Sequence, residues 1–551
     1  MNRRNLVKSL AAAVASISYP NKISAADFKK ITTGLLPMEF QPTWESLKQY
    51  SVPEWFRDAK FGIWAHWGPQ CQPQSGDWYA REMYMEGSDK YKIHLKKYGH
   101  PSQFGFKDVI NQWKADRWQP DELLSFYKTA GAKYFVALAN HHDNLDLYNS
   151  THQQWNAVRV GPKKDIIGTW ANAARKNGLY FGASVHASHA WSWYETSQRS
   201  DKSGPKAGIP YDGSLTLKDG KGKWWDGLDP QELYAQNHPL SENSLDNSAI
   251  HKQWNWQNGV TPATAVYIEK FYKRTIELID KYEPDLLYFD DTALPFWPVS
   301  DAGLKIVAHM YNKSIFRKGS VQAVINGKVL DEEQRKCMVW DIERGQSNSI
   351  EPLAWQTDTC LGNWHYDDSV LMNHKYKSAQ TVIHTLIDVV SKNGNLLLSV
   401  PLRGDGSIDS EERSIVEEVG NWMRKYSECI YATRPWVVFG EGPAMSSAAA
   451  IQAQGFNEGK GKPFTSEDIR FTKKGKYIYA MPLGAPAGNK LIIKSLAENS
   501  AHSPGKIERV VLVGNNLNLA FQRSANGLEV MLPDSLKDEF AYAVKITIQR
   551  E

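Results

Sequence analysis

Titratable side chains recur directly after short apolar runs in this chain of 551 residues. His66 follows FGIWA, His141 and His142 follow AKYFVALAN, His186 follows LYFGASV, and Asp290 follows LLYF. Imidazole both donates and accepts hydrogen bonds, and a carboxylate serves as nucleophile or base, so these residue types suit chemistry on a neutral, hydroxyl-rich molecule. Asp290 is the first polar residue after a buried run and is therefore predicted to be catalytic rather than a helix cap.

The histidines leave more than one interpretation open. Because neighbouring side chains of a strand point to opposite faces, His141 and His142 would need further carboxylate or imidazole ligands to hold a metal. Hydrogen bonding is therefore favoured over a metal site, with core packing of both rings as the remaining alternative. His66 is either a packed core residue between Trp64 and Trp67 or a ligand that reaches into a pocket.

Glycoside hydrolysis requires a second carboxyl group to work with a carboxylate nucleophile. The stretch 338–368 holds four candidates, Asp341, Glu343, Glu351 and Asp358. Glu343 ends a probable strand, where a loop can present its carboxyl group. A paired Arg344 would lower the pKa of Glu343, whereas a general acid needs a raised pKa, and the sequence leaves this conflict open.

Three of the apolar runs follow amphipathic helical patterns. The predicted helices are 121–131, 166–178 and 265–284, and the predicted strands are 132–143, 179–189 and 285–291. Helices that alternate with continuous apolar strands predict an α/β fold, a (β/α)8-like barrel domain spanning residues 27–436. Barrel enzymes place their active sites at the carboxyl ends of the strands, which is where His66 and Asp290 stand.

The composition changes twice along the rest of the chain. Residues 195–250 are rich in Gly, Lys, Asp, Ser and Asn and predict a loop insertion on the active-site face of the barrel. Short strands separated by turns then predict a C-terminal antiparallel β-sandwich domain at 437–551.

Residues 1–26 predict a signal peptide, with a basic start at Arg3 and Arg4, a short apolar run and small residues for cleavage. The Arg-Arg-Asn-Leu-Val-Lys pattern is similar to a twin-arginine export signal, so we expect export to the periplasm or the extracellular space. A plain amphipathic helix is the alternative. No later segment is long and apolar enough to predict a membrane span.

The bulk composition excludes some classes of protein. With 65 basic and 61 acidic residues and no basic stripe, the chain is not expected to bind nucleic acid. The 21 tryptophans offer flat faces on which sugars stack. Four widely spaced cysteines predict neither a zinc site nor a disulfide framework, although one incidental bridge stays possible. The oligomeric state is not indicated.

A series of motifs, in order, resembles the α-L-fucosidases of glycoside hydrolase family 29. They are Trp55–Gly68, Gly76–Tyr79, His141–Asp143, Tyr282–Asp290 and Asp388–Val400, continuing through Pro401–Gly406 to Ile430–Trp436. The resemblance covers most of residues 50–436 and implies a retaining exo-α-L-fucosidase that needs no metal or other cofactor. Its substrate would be a fucosylated oligosaccharide or polysaccharide.

The resemblance also implies roles for single residues. Asp290 would be the nucleophile that forms a covalent fucosyl-enzyme, and Glu343 is the best match for the acid/base. His66, His141 and His142 would form hydrogen bonds with the fucose hydroxyls.

Five positions carry over less directly. Trp78 falls on the family's Glu-Trp pair, whose Glu is Asp77 here, so the contact of this shorter side chain with the sugar is expected to be weaker or water-mediated. Tyr288 replaces a common Trp two places before the nucleophile, and Trp364 is expected to pack against the C5 methyl group of fucose. Gln356 stands where the family usually has Glu, which argues against that position as the acid.

Two alternatives remain open. The same fold would also suit sulfated fucan or α-L-galactoside oligosaccharides, given the insertion at 195–250 and its basic residues. The chain would otherwise be an inactive sugar-binding relative, but the presence of Asp290 with the three histidines argues against that class.

Overall fold

The structure is a computed structural model that describes residues 39–445, 455–485, 488–536 and 539–549. The predicted signal peptide, residues 1–26, lies outside the described residues. Within the described ranges, no helix combines the length and the apolar character that crossing a bilayer requires.

Eight parallel strands close into a barrel, in which each strand pairs with its neighbour in chain order and the last pairs with the first. The strands are β1 Phe61–Ala65, β2 Tyr134–Asn140, β3 Tyr180–Val185, β4 Leu286–Thr292, β5 Val324–Lys328, β6 Val339–Glu343, β7 Trp355–Cys360 and β8 Gly394–Ser399. The predicted (β/α)8-like barrel is confirmed.

Helices lie before and between the barrel strands and follow the last one. They are α1 Trp44–Leu47, α2 Glu54–Ala59, α3 Tyr79–Glu82, α4 Asp89–Lys97, α5 Phe106–Gln112, α6 Pro120–Thr129, α7 Ile166–Lys176, α8 Ala190–Trp193, α9 Pro230–Leu233, α10 Asn247–Lys252, α11 Ala265–Tyr282, α12 Ala302–Lys318, α13 Asp368–Met372, α14 Ala379–Ser391 and α15 Ser410–Tyr426. The three predicted helices correspond to α6, α7 and α11. Their starts follow local chemistry, since Pro120 opens α6 and the side chains of Asp165 and Thr264 cap α7 and α11.

Strand β1 illustrates how alternation positions the site. Phe61, Ile63 and Ala65 pack outward into the core under the helices, whereas Trp64 belongs to the cluster inside the barrel. Gly62 faces the same interior, where a Cβ atom would lie 2.4 Å from the ring of Tyr134. The next inward position after Trp64 is His66, which therefore emerges at the open carboxyl end of the barrel.

The connection between β3 and α11 runs from residue 186 to 264 and contains the predicted insertion. It folds into the short helices α8, α9 and α10 and irregular segments between them. His251 at the end of α10 and Trp254 just beyond it reach the mouth of the barrel. These two lining residues follow the predicted insertion, 195–250, so it is the end of this connection that reaches the face on which the strands end.

Among the described residues, eight antiparallel strands follow the barrel. They are β9 Arg434–Glu441, β10 Ile469–Lys474, β11 Tyr477–Pro482, β12 Lys490–Ile493, β13 Ile507–Leu512, β14 Phe521–Ser524, β15 Gly527–Met531 and β16 Val544–Ile548. One sheet has the order β13-β16-β11-β10-β9 and the other the order β12-β15-β14. The antiparallel C-terminal fold is thus as predicted.

A buried ion-pair cluster joins these sheets to the barrel. Arg470 of β10 donates from Nε to Asp388 of α14 at 2.6 Å, and Lys392 donates to the other carboxylate oxygen at 2.6 Å. Burial alone would raise the pKa of Asp388, but the two cations hold it below its usual value.

The cysteines are all free and buried in the structure. The incidental disulfide left open by the sequence is therefore absent from the described residues, among which all four cysteines fall.

Candidate active site

A cavity of about 380 Å³ opens at the carboxyl ends of the barrel strands. Strands β1 to β7 each contribute a lining residue, either near the carboxyl end or just beyond it. All the predicted site residues except Tyr288 line it, namely His66, Asp77, Trp78, His141, His142, Asp290, Glu343 and Trp364.

A lysine that sequence reasoning missed joins the two proposed catalytic carboxyl groups. Lys328, the last residue of β5, donates from Nζ to Asp290 Oδ1 at 2.6 Å and to Glu343 Oε2 at 2.5 Å. Burial alone would lower the pKa of Lys328, but the surrounding carboxylates, led by Asp290 and Glu343, raise it well above its ordinary value. A permanent positive charge therefore lies between the two acidic groups.

Asp290 is held in its ionised form. Its Oδ2 lies 3.1 Å from His186 Nδ1 and 3.3 Å from His142 Nε2. Burial would raise the pKa of Asp290, but the charge of Lys328 and the hydrogen bonds from the two imidazoles hold it well below its usual range. An ionised, oriented carboxylate of this kind is equipped to act as a nucleophile.

The pKa of Glu343 is raised, whereas that of Asp290 is lowered. Burial raises its pKa, Lys328 opposes the rise, and the negative charges of Asp290 and Asp358 add to it, which leaves the pKa at about 7. Arg344 does not lower the pKa of Glu343 by pairing with it, because Arg344 Nε donates to Glu458 at 3.3 Å instead. Glu343 thus carries a proton in a large fraction of molecules near neutral pH.

The other acidic candidates lie in less suitable places. Asp341 is fully buried below the cavity and accepts from Gln356 Nε2 at 2.7 Å. Glu351 accepts from the Ser347 hydroxyl at 2.5 Å. Asp358 also lines the cavity and has a raised pKa, but its Oδ2 accepts from the Tyr288 hydroxyl at 2.7 Å, and it lies one strand further from Asp290 than Glu343 does.

Tyr288 is placed behind the cavity wall. It is fully buried, its ring lies 4.8 Å from that of Trp64, and its hydroxyl donates to Asp358 Oδ2 at 2.7 Å. Lys328 Nζ lies 5.5 Å from the centre of its ring. The side chain therefore supports Trp64 and Lys328 from behind.

His66 faces the cavity with unused ring nitrogens. Neither Nδ1 nor Nε2 has a hydrogen-bond partner among the described residues, although the ring is buried. Burial and the neighbouring rings of His365 and His186 lower its pKa well below the ordinary value, so the imidazole is neutral. A neutral imidazole offers one donor and one acceptor, which suits a hydroxyl group.

The expectation that His141 and His142 point apart is wrong. Strand β2 ends at Asn140, so strand alternation no longer applies, and both rings line the cavity with centroids 4.4 Å apart. His141 Nδ1 lies 2.8 Å from the amide nitrogen of Gln70, which leaves Nε2–H to donate into the cavity. Burial lowers the pKa of His141 well below its ordinary value.

Two groups of buried histidines have the spacing of metal ligands. They are His66 with His141 and His365, and His141 with His142 and His186. In each group the ring nitrogens lie within 4.8 Å of one another. Such a cluster can hold a metal ion or surround several hydroxyl groups.

Asp77 positions the loop that follows β7. It accepts from the backbone nitrogens of Trp364 at 3.1 Å and His365 at 2.6 Å. Its side chain therefore holds the backbone at Trp364, whose indole lies 5.5 Å from the ring of His66. Trp78, held in a left-handed conformation, packs against His251 with ring centroids 4.8 Å apart.

Several lining residues were not predicted. Lys328 ends the run AVINGK, in which Asn326 and Gly327 separate it from the apolar residues, so it lacks the sequence signal that indicated Asp290. His365 adjoins a predicted residue, Trp364. Trp254 and Phe456 reach the cavity only through tertiary packing, and nothing in their local sequence signals this.

A parallel barrel that carries an ionised aspartate and a protonatable glutamate in one cavity, lined by several histidines, has the arrangement of a glycoside hydrolase. The family model described as "Alpha-L-fucosidase" matches residues 30–428, and that described as "Alpha-L-fucosidase C-terminal domain" matches residues 462–547. The chain belongs to the α-L-fucosidase family, and it is an enzyme of that glycoside hydrolase type.

Individual relatives agree with this assignment. Tissue α-L-fucosidase of Bos taurus is 25% identical over 528 residues, which cover 93% of this chain and 92% of the relative. Plasma α-L-fucosidase of Homo sapiens is 25% identical over 403 residues, 72% of this chain and 73% of the relative. The crystal structure of Thermotoga maritima α-fucosidase with a mechanism-based inhibitor has a TM-score of 0.66 at 25% identity, covering 92% of this chain and 100% of that chain.

Proposed function

We propose that the protein is a retaining exo-α-L-fucosidase that removes terminal α-L-fucose from glycans, with Asp290 as nucleophile and Glu343 as acid/base. The observation that carries this proposal is the bridge formed by Lys328. Both carboxyl groups bond to the same Nζ, so the bonded oxygens lie within about 5 Å of each other. This upper limit is close to the separation of about 5–5.5 Å between the two carboxyl groups of retaining enzymes, in which one carboxylate attacks the sugar directly.

In the first step, Asp290 attacks the anomeric carbon while Glu343 gives its proton to the leaving oxygen. The bond from the sugar to the leaving group breaks, and a covalent fucosyl ester forms on Asp290. The low pKa of Asp290 keeps it ionised for the attack, and the pKa of about 7 lets Glu343 act as an acid.

In the second step, Glu343, now ionised, removes a proton from water, which attacks the same carbon. The ester bond breaks, Asp290 leaves as a carboxylate, and Glu343 has regained its proton. Two inversions give fucose with the original configuration. Lys328 stays paired with the single negative charge as it passes from Asp290 to Glu343 in the first step and back in the second.

The remaining predicted residues have roles in binding. His66 and His141 form hydrogen bonds with the fucose hydroxyls. For His142, whose Nδ1 lies 2.8 Å from the carbonyl of His186, only Nε2, which also lies 3.3 Å from Asp290, takes part. Trp364 packs against the C5 methyl group, with Asp77 holding its backbone. This arrangement gives Asp77 mainly a positioning role, consistent with its short side chain.

Two further points belong to this proposal. A solved structure of the Thermotoga maritima enzyme is a complex with fucose, which supports fucose as the sugar bound here. The basic, then apolar, start of the sequence supports export, so we place the protein in the periplasm or outside the cell.

Product analysis tests the mechanism. An α-L-fucoside should yield α-fucose as the first product in a proton NMR time course, and a panel with α-L-galactosides and sulfated fucosides fixes the preferred substrate. A 2-deoxy-2-fluoro-fucosyl donor should add its sugar mass to the wild-type protein but not to Asp290→Asn. First release of β-fucose, or labelling of Asp290→Asn, would refute the assignment.

The acid/base role has its own test. Glu343→Ala should lose about 10²- to 10⁴-fold in kcat/KM on disaccharides, whose leaving groups need a proton. It should still react with α-L-fucosyl fluoride, whose leaving group needs none, and added azide should restore turnover as α-fucosyl azide. Normal disaccharide activity in Glu343→Ala would move the role to Asp358.

A further inference from the structure

Two exposed apolar side chains stand at the rim of the cavity. Val329, directly after β5, and Phe456, from the segment between β9 and β10, are each 56% exposed and line the same cavity as Glu343. Neither takes part in the mechanism above. Exposed apolar groups beside a deep polar site indicate contact with a part of the ligand that the polar site does not hold.

The backbone holds both residues in an unfavourable conformation. The φ angles are +52° for Val329 and +51° for Phe456, and the left-handed region is disfavoured for β-branched and bulky residues. Such strain persists only where surrounding contacts enforce it, and it is concentrated at functional sites. Here the carbonyl of Lys328 accepts from Ala293 at 3.0 Å, and the amide of Phe456 donates to the carbonyl of Glu343 at 2.7 Å.

The segment of Phe456 is fastened to the strand that carries Glu343. The amide of Glu458 donates to the carbonyl of Arg344 at 2.9 Å, next to the bond from Phe456 to Glu343. The side chain of Asn457 is buried and bonds to both the amide and the carbonyl of Gln346, at 2.8 and 3.0 Å. Phe456 is therefore fixed beside the acid rather than merely close to it.

The position of Val329 and Phe456 relative to Glu343 indicates which part of the substrate they contact. The carboxyl of an acid/base must lie against the oxygen that joins fucose to its leaving group. Groups that extend from the Glu343 strand toward solvent therefore flank the leaving group, while the histidines surround fucose on the other side of the cavity. An aromatic ring offers the C–H face of a sugar a flat apolar surface.

We propose that Val329 and Phe456 form a binding subsite for the sugar residue that leaves, with the Phe456 ring as its stacking platform. This inference rests on the proposed function and adds the chemical class of the leaving group, a pyranose with an apolar face. Selectivity among fucosides then depends on how well the second sugar covers the Phe456 ring.

The test compares two donors that differ only in the leaving group. A fucosyl disaccharide reaches the rim, whereas the fluorine atom of α-L-fucosyl fluoride is too small to do so. Phe456→Ala should lower kcat/KM for the disaccharide about tenfold and leave that for the fluoride within about twofold of wild type. Phe456→Trp should keep the disaccharide rate, because the aromatic face remains.

The matched control is Phe316→Ala, since Phe316 is 60% exposed on α12 and does not line the cavity. It should change neither rate. An equal loss on both donors in Phe456→Ala, or no loss on either, would overturn the inference. A wild-type protein that hydrolyses neither donor would instead refute the proposed function, so the two failures are distinguishable.

Discussion

The charge of Lys328 sets the pH range in which Asp290 is ionised while Glu343 is protonated. Its Nζ lies 2.6 Å from Asp290 and 2.5 Å from Glu343. The Lys328→Met variant keeps most of the volume and removes the charge. Because the cation lowers the pKa of both carboxyl groups, its loss must raise both values.

The magnitude follows from the distances. Coulomb's law at 2.6 Å with an effective dielectric constant of about 20 gives an upper limit of about 6 kcal/mol for each pair. Relaxation reduces this, and a neighbouring opposite charge is expected to account for about 1–3 pKa units, or about 1.4–4 kcal/mol. Asp290 and Glu343 titrate as a coupled pair, so the shift is expected in both the acid and the basic limb of the pH–activity profile.

The assay is the pH dependence of kcat/KM for an α-L-fucoside. In the proposed mechanism, activity requires ionised Asp290 on the acid side and protonated Glu343 on the basic side, so the wild-type basic limb should lie near pH 7. In Lys328→Met both limbs should move upward by about 1–3 units, whereas Lys328→Arg, which keeps the charge, should stay near wild type. A basic limb that stays in place or moves downward in Lys328→Met would refute the reasoning.

Three further predictions concern other parts of the molecule. His66→Ala should raise the inhibition constant of free fucose about 10- to 100-fold, because two hydrogen bonds are lost; an unchanged constant would mean that His66 is only a packed core residue. Asp77→Ala should lower kcat/KM about tenfold or more with little change in melting temperature, while Asp77→Asn, which keeps an acceptor, should lose less. Asp388→Asn should cost about 3–5 kcal/mol in urea unfolding at pH 7, because Arg470 is left buried with less compensation. Since the folded-state pKa of Asp388 is lowered, its contribution is present above about pH 4 and lost as the pH falls through the folded pKa, so the stability gap between the two proteins should narrow there.

The strands that could be predicted are those with continuous apolar runs. Strands β2, β3 and β4 are buried on both faces over most of their length and read as apolar in the sequence. Strands β5 and β7, with sequences VINGK and WQTDTC, carry polar side chains into the barrel interior. Their pattern therefore resembles a loop, although the backbone pairs as in the other strands.

The site was predictable where a residue directly follows an apolar strand. His66 and Asp290 satisfy that condition, and both line the cavity. Lys328 does not stand out, because Asn326 and Gly327 interrupt the apolar run before it. Whether Arg344 pairs with Glu343 was also beyond the sequence, since its partner Glu458 lies 114 residues further along the chain.

Phe456 is bonded through its backbone to the strand of Glu343 but is not part of the barrel. Glycan selectivity and the chemistry of the reaction are therefore set by different parts of the chain within one cavity. Asp290 and Lys328 lie on barrel strands, and His66, His141 and His186 directly follow barrel strands, whose register couples each residue to its neighbours. The stacking ring comes from a segment outside the barrel, attached through backbone bonds that do not depend on the side chain at position 456. Substitutions there can diversify the range of glycans accepted during evolution while the chemistry stays intact.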